Sequence, residues 1–165
     1  MSYRFSFLLF FACYLYSETD FRDISISEYK LLLSETKNTK QLYRDYLLNA
    51  RLSDKDINSI VSLYGPNELY KSYIYSRSAN WRGVPIFVKD NIDTINLANT
   101  AGSKALLDNL PKDDAQLIKK LKKAGFVIAG KTNLSEWANF RASSSTSGWS
   151  SVGGQTYNPY NLKYN

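Results

Sequence analysis

The sequence predicts an α/β protein in which N-terminal helices precede a parallel or mixed β-sheet. Residues 18–80 space their apolar side chains as helices do and carry no chemical motif. Two short apolar runs, 83–88 and 126–129, are bounded by glycines and have the length and composition of buried strands. A stretch long enough for one crossover helix lies between them, so these three elements are expected to form a βαβ unit.

Three helices are expected before the first strand. The first begins after Ser27, interpreted as its N-cap residue. In the second, Leu42 and Tyr46 lie four residues apart and share an apolar face. The third follows 53–56, a capping sequence with an acidic residue three positions after Ser53, and Gly65-Pro66 ends it. Its apolar face would consist of Ile57, Ile60, Val61 and Tyr64.

The βαβ unit has recognisable boundaries. Asp113-Asp114 is expected to cap the crossover helix, and Gly125 to end it in the left-handed conformation. The second strand then occupies 126–129 and closes at Gly130. A stretch rich in Ser and Gly follows at 141–154, and the Trp within it favours an ordered loop over a flexible linker.

Composition restricts the possible chemistry. The 165 residues include no His and one Cys, which excludes a Ser-His-Asp triad, an imidazole base, a His-ligated metal and an intrachain disulfide. Catalysis would have to use Lys, Asp, Glu, Ser or Tyr. The net charge of +6 is diffuse, and its densest part, 119–123, fits the solvated face of a helix. No nucleic-acid-binding module is evident, so no nucleic-acid partner is expected.

The first 17 residues resemble a secretory signal peptide. Arg4 is the only charge before Glu18, and 5–16 is almost wholly apolar but too short to span a bilayer. A small residue, Ser17, stands at the expected cleavage site. Export to the periplasm or the medium is therefore expected. The alternative is a cytoplasmic protein in which this segment is a buried strand or helix.

Lys89 is the first candidate for catalysis. It directly follows the predicted strand 83–88, at the edge of the sheet where open α/β proteins bind ligands. A Lys in apolar surroundings can release its proton near neutral pH. The alternative is a surface Lys paired with Asp90. A serine nucleophile is a weaker candidate, because no Gly-x-Ser-x-Gly motif is present, and the carboxylates do not form a convincing acid–base pair or metal site. The serines are Ser143, Ser144, Ser145, Ser147, Ser150 and Ser151, and the carboxylates are Asp90, Asp93, Asp113, Asp114 and Glu136.

The segment 83–92, Gly-Val-Pro-Ile-Phe-Val-Lys-Asp-Asn-Ile, resembles the amidase signature family. Residues 100–103 and the pair Asp114-Ala115 fit the same pattern. The segment 130–141 is more specific and, with Ser147-Gly148-Trp149-Ser150 and 153–160, is similar to the branch that contains bacterial peptide amidases. The resemblance implies the mixed-sheet fold of that family, of which residues 81–165 would be the N-terminal part.

The resemblance also implies a mechanism. The family hydrolyses linear amides with a Ser–cis-Ser–Lys triad, in which Lys89 would take a proton through a bridging serine from the nucleophilic serine. Both family serines follow the segment matched here by Asn158-Pro159, and none of the serines at 143–151 aligns with either. Lys89 is therefore the one catalytic residue that transfers. No cofactor and no metal are implied.

The expected organisation is a signal peptide at 1–17, a helical segment at 18–80 and the front part of an amidase signature domain at 81–165. A domain that lacks both serines is expected to be inactive alone. Its substrate in the parent enzyme would be a small amide or peptide amide, and a complementing C-terminal fragment is a possible partner. The alternatives are a non-catalytic binding or assembly module, one half of a split amidase, and an amidotransferase A-type subunit.

Overall fold

The computed structural model describes residues 21–76, 80–140, 143–144 and 146–163. The predicted signal peptide, residues 1–17, lies outside these ranges. The chain forms a mixed α/β structure, as predicted. In chain order the elements are α1 (Ile26–Glu35), α2 (Thr39–Asp54), β1 (Ile60–Leu63), α3 (Pro66–Tyr75), β2 (Pro85–Lys89), α4 (Gln116–Ala124), β3 (Val127–Thr132), β4 (Trp149–Ser150) and β5 (Gly154–Gln155).

Helix α1 begins two residues earlier than expected. Its N-cap is Ser25 rather than Ser27, because Glu28 completes a capping box with Ser25. The Ser25 side chain accepts from the Glu28 amide at 3.2 Å, and the Glu28 carboxylate accepts from the Ser25 amide at 2.8 Å. Helix α2 forms as predicted and buries Leu42, Tyr43 and Leu47 along one side.

The predicted third helix is wrong. Residues 53–54 form the end of α2, and 60–63 form strand β1. Asn58 adopts a positive φ of 57°, which turns the chain away from the helix. The Asp54 carboxylate accepts from the amides of Ser59 at 2.7 Å and Ile60 at 3.0 Å, so it holds the turn into the strand rather than capping a helix start.

Gly65-Pro66 begins a helix instead of ending one. Gly65 is the N-cap of α3, and Pro66 occupies its first turn. Proline suits this position because its fixed φ is already helical and its missing N–H would have had no partner in the helix. The sequence therefore predicts a helix boundary at the correct position, but a helix begins there instead of ending.

The predicted βαβ unit is present. Strands β2 and β3 pair in parallel, from Pro85 opposite Val127 to Lys89 opposite Thr132. Gly125 ends α4 in the left-handed conformation at φ 103°, as expected. Strand β3 continues through Gly130, the residue at which the sequence predicts its end.

The expected cap of α4 is wrong. Ala115 is the N-cap, and it makes no side-chain capping bond. Asp114 instead accepts from the Ile95 amide at 2.9 Å and pairs with Lys122 at 2.6 Å, which ties the loop before α4 to the helix itself. The lysines of the predicted solvated face, Lys119, Lys120 and Lys123, are exposed.

The main sheet has the order β1-β3-β2, with β1 antiparallel to β3. Two apolar clusters cover its faces. One contains Leu42, Tyr43 and Leu69 from the helices with Val127 and Ala129 of β3, while the other contains Val88, Ile118 and Ile128. Strands β4 and β5 form a separate hairpin. None of the helices in the described ranges is long and apolar enough to cross a membrane.

Tyr43 joins the helical layer to the entrance of β2. Its hydroxyl donates to the Gly83 carbonyl at 2.8 Å in a buried environment. We expect Tyr43→Phe to lower the free energy of unfolding by about 1–2 kcal/mol, because the carbonyl loses its buried partner while the ring still fills its site. Urea unfolding measures this. The control is Tyr75→Phe, whose side chain is 83% exposed and should change stability by less than about 0.5 kcal/mol. Equal losses in the two variants would contradict the prediction.

Candidate active site

Lys89 is the last residue of β2 and lies at the carboxyl end of the parallel pair, as predicted. Its side chain is exposed, so the expectation of apolar surroundings is wrong for this chain. The physical reason is its place in the strand. Side chains alternate along a strand, so Lys89 lies on the same face as Phe87. Phe87 packs against the helical layer, whereas Lys89 lies two residues further along the strand, beyond that contact.

Asp90 follows Lys89 and points into the protein. It is 1% exposed and faces Lys131, which is completely buried, with 3.7 Å between Asp90 Oδ1 and Lys131 Nζ. Thr100 Oγ1 donates to the other carboxylate oxygen. The alternative pairing of Asp90 with Lys89 is therefore wrong, because Asp90 pairs with Lys131 on β3.

Lys131 is the functional candidate that sequence reasoning missed. The predicted strand closes at Gly130, which leaves Lys131 in a loop. Its Nζ donates to the Ile92 carbonyl at 2.7 Å. Burial lowers the pKa of the Lys131 ammonium, and the Asp90 carboxylate beside it opposes that shift. A charged residue inside a run of small and apolar residues was the available signal.

A group of loops assembles beside the carboxyl ends of β2 and β3. Glu136 accepts from the Ser151 amide at 2.7 Å, and its hydrogen bonds with Ser151 lower the pKa of the Glu136 carboxyl. The Ser151 hydroxyl donates to the Gly102 carbonyl at 3.2 Å. Trp137 and Ala138 have positive φ values of 51° and 53°, a conformation that is rare for residues other than Gly. Glu136 therefore connects the loop at 136–140 to the β4–β5 hairpin through the Ser151 amide.

Asn133 holds these loops to the sheet. Its side-chain nitrogen donates to the Gly154 carbonyl at 3.0 Å and to Thr156 Oγ1 at 2.9 Å. Its side-chain oxygen accepts from Ser150 Oγ at 2.6 Å. Its backbone amide donates to the Ser59 carbonyl, just before β1, at 2.7 Å. One residue thus connects β3, the β4–β5 hairpin and the turn into β1.

These segments are those on which the sequence resemblance rests. The family model described as Amidase matches residues 41–165, which is most of the chain. The chain belongs to the amidase family.

Relatives of this chain come from both plants and bacteria. A probable amidase of Arabidopsis thaliana is 35% identical over 162 residues, covering 92% of this chain and 31% of the relative. The A-type subunit of the Glutamyl-tRNA(Gln) amidotransferase of Lactobacillus acidophilus is 38% identical over 133 residues, covering 81% of this chain and 26% of the relative. The chain thus spans about a third of the length of the curated relatives it matches.

The comparison with solved structures agrees with the comparison of sequences. The peptide amidase of Stenotrophomonas maltophilia superposes with a TM-score of 0.74 and 35% identity, covering 86% of this chain and 31% of that chain. The predicted fold class, the N-terminal part of the mixed-sheet amidase fold, is confirmed. So is the family to which the motifs at 83–92 and 130–141 were assigned.

Two of the candidate serines make side-chain hydrogen bonds within the fold. Ser150 is buried and bonds to Asn133, and Ser151 bonds to Gly102. Ser143, Ser144 and Ser147 are exposed, and Ser145 lies outside the described residues. Of the other carboxylates, Asp93 accepts from the Asn99 side chain at 2.6 Å and Asp113 is exposed. The described ranges contain no cluster of three or more His, Cys, Asp or Glu that could hold a metal ion.

We expect Asn133→Ala to destabilise the chain by about 2–3 kcal/mol, because several partly buried polar groups lose their partner at once. Hydrogen exchange at the Thr156 amide, which donates to the Gly148 carbonyl at 2.9 Å, should accelerate together with the fall in urea stability. Asn109→Ala is the control, since its bond to the Asn99 carbonyl is exposed to water. A stability loss no larger than that of Asn109→Ala would show that Asn133 does not hold the loops.

Proposed function

We propose that this chain supplies the lysine base of an amidase that hydrolyses linear carboxamides. Membership of the amidase family, with Lys89 at the carboxyl end of the parallel strand pair, is the observation that carries the proposal. Peptide amides are the substrates to test first, since the peptide amidase of Stenotrophomonas maltophilia is among the similar structures.

In the proposed reaction, Lys89 accepts a proton from a bridging serine, which takes one from the nucleophilic serine. The serine oxygen attacks the amide carbonyl, and the carbon–nitrogen bond breaks as the leaving nitrogen receives, through the bridging serine, the proton that Lys89 had taken. The acyl group stays on the serine oxygen as an ester. Water then hydrolyses the acyl ester to release the acid and regenerate the serine. Backbone N–H groups would stabilise the oxyanion, a contribution of about 10²–10³ in rate.

Both serines and the oxyanion donors would come from a further segment. In the family resemblance, the motifs that carry them follow the one matched by Asn158-Pro159. We therefore propose that residues 1–165 are inactive alone, and that a complementing C-terminal segment completes the site, in the same chain or in a second one.

The test is a complementation assay. The 165-residue chain is co-expressed with the C-terminal two thirds of the Stenotrophomonas maltophilia peptide amidase, and ammonia release from a C-terminal peptide amide is measured. We expect hydrolysis by the purified assembly and none by either part alone. Hydrolysis by the 165-residue chain alone that survives Lys89→Ala would contradict the assigned triad. The assigned triad would also be contradicted if the two parts form an assembly on a sizing column and that assembly hydrolyses no amide.

The similarity to the A-type subunit of an amidotransferase favours a second candidate. That relative, from Lactobacillus acidophilus, is 38% identical and covers 81% of this chain. In this alternative the same lysine and serines would release ammonia from glutamine for transfer to a second substrate. The complementation assay distinguishes the two if glutamine and a peptide amide are compared at equal concentration. Preference for glutamine would favour the amidotransferase.

We also propose that the protein is exported. The short positive start, the apolar run at 5–16 and the small residue Ser17 support this proposal. N-terminal sequencing of the protein recovered from the periplasm or the medium tests it. A mature N-terminus at Glu18 is expected, and an intact Met1 on protein that stays in the cytoplasm would contradict export.

A further inference from the structure

The buried ion pair between Lys131 and Asp90 is unusual because neither group reaches water. Lys131 is 0% exposed and Asp90 is 1% exposed. Among the described residues, Asp90 Oδ1 accepts no hydrogen bond, and it faces Lys131 Nζ at 3.7 Å. A buried pair is weak evidence for stability, since well-packed apolar residues often replace one at no cost. The bonds that the two residues make to the backbone suggest another role.

Those bonds converge on the turn that begins at Lys89. Lys131 Nζ donates to the Ile92 carbonyl at 2.7 Å, and the Ile92 amide donates to the Lys89 carbonyl at 3.0 Å. Asp90 donates its amide to the Thr132 carbonyl at 3.0 Å. The backbone of 89–92 is thus fastened to β3 at two points, one of them the Lys131 side chain.

Asp90 fastens the same turn to a second loop. Its carbonyl accepts from the Ala101 amide at 3.1 Å, and its carboxylate accepts from the Thr100 hydroxyl. The Thr100 hydroxyl also accepts from the Gly102 amide at 3.0 Å. The loop at 100–102 is therefore held against the residue that follows Lys89.

Lys131 contacts the backbone of the turn that carries Lys89, and its side chain lies on the other face of the sheet. Residues opposite each other in parallel strands place their side chains on the same face, and Lys131 is opposite Val88. Lys89, the next residue along β2, therefore points to the other face. Removing the Lys131 ammonium would loosen the segment that carries Lys89 without removing any contact with its side chain.

We propose that Lys131 and Asp90 are positioning residues that fix the Lys89 backbone for proton transfer. This inference rests on the proposed amidase function. A general base must lie within hydrogen-bonding distance of its proton, and a displacement of about 1 Å can reduce the rate about 100-fold.

The test compares Lys131→Met, Asp90→Asn and the double variant in the complemented assembly. Each single variant leaves one buried group without its partner, so stability should fall, and the double variant should recover most of it. We expect kcat to fall about 10- to 100-fold in Lys131→Met with KM unchanged, and to stay low in the double variant, because methionine cannot donate to the Ile92 carbonyl. A kcat that recovers with stability in the double variant would overturn the proposal.

Val127→Ala is the matched control. Val127 is buried in the same strand, at its other end, so the variant should lose stability and keep its kcat in the assembly. If kcat falls in Val127→Ala as much as in Lys131→Met at equal loss of stability, the effect is general loosening of the sheet, and the proposal fails.

A second measurement separates this inference from the proposed function. Hydrogen exchange at the Ile92 and Ala101 amides is measured in the 165-residue chain itself. Exchange at both should accelerate at least about tenfold in the double variant, while amides inside α2 remain unchanged. If the wild-type assembly hydrolyses no amide, the proposed function fails. Unchanged hydrogen exchange at the Ile92 and Ala101 amides of the double variant would overturn the positioning role, whatever the activity of the assembly.

Discussion

Lys89→Ala is expected to abolish amide hydrolysis by the complemented assembly, with kcat reduced by at least about 10²–10⁴, the contribution typical of a general base. The chain contains no His that could take over the proton. KM should change little, because the Lys89 side chain is removed without altering the backbone around it. The measurement is ammonia release from a peptide amide across a range of substrate concentrations.

The matched control is Lys119→Ala. Lys119 is exposed on α4, and its removal changes the net charge by the same amount. Its kcat should equal that of the unsubstituted chain. Retention of more than about a tenth of the activity by Lys89→Ala would show that another group acts as the base.

Gly130→Ala should have the largest effect on stability. A Cβ at this position would lie 2.2 Å from the Ser62 carbonyl oxygen and 3.1 Å from the Leu63 Cα, both backbone atoms of β1. Neither atom can move away without separating β1 from β3. We expect a loss of about 3 kcal/mol in the free energy of unfolding, at the upper end of what overpacking produces.

Gly65→Ala is the matched control for Gly130→Ala, measured by urea unfolding under the same conditions. Its Cβ would meet the Glu68 carboxylate at 2.7 Å, which is the flexible end of a side chain. Gly65 has φ −80°, which alanine adopts readily, so stability should change by less than about 1 kcal/mol. Equal effects of the two substitutions would mean that β1 and β3 can separate without cost.

The βαβ unit could be predicted because its signals are local. Gly125 is needed where α4 ends at positive φ, and two apolar runs of strand length flank the amphipathic helix. Strand β1 could not be predicted in this way, since a short apolar run such as 60–63 fits a helix face and a strand equally well. The Asp54 carboxylate, which accepts from the Ile60 amide, decides between them only once the chain has folded.

The candidate site likewise has one part that local sequence predicts and one part that it does not. The position of Lys89 at the end of β2 follows from local sequence. The burial of Lys131 and Asp90 depends on the pairing of strands that are distant in sequence, so the local signal, a charge in a run of small and apolar residues, did not show which residue would pair with Lys131. Asn133 was missed for the same reason, because its partners come from the turn into β1 and from the hairpin.

The antiparallel pairing of β1 with β3 has a consequence for synthesis on the ribosome. Leu63 leaves the exit tunnel long before Gly130, its partner in the sheet. Until then, the apolar side of α2, with Leu42, Tyr43 and Leu47, cannot close over β3. The nascent chain therefore leaves this surface uncovered while the segment between the two strands is translated. Chaperones that recognise exposed apolar segments are expected to bind it during that interval, before the sheet completes the fold.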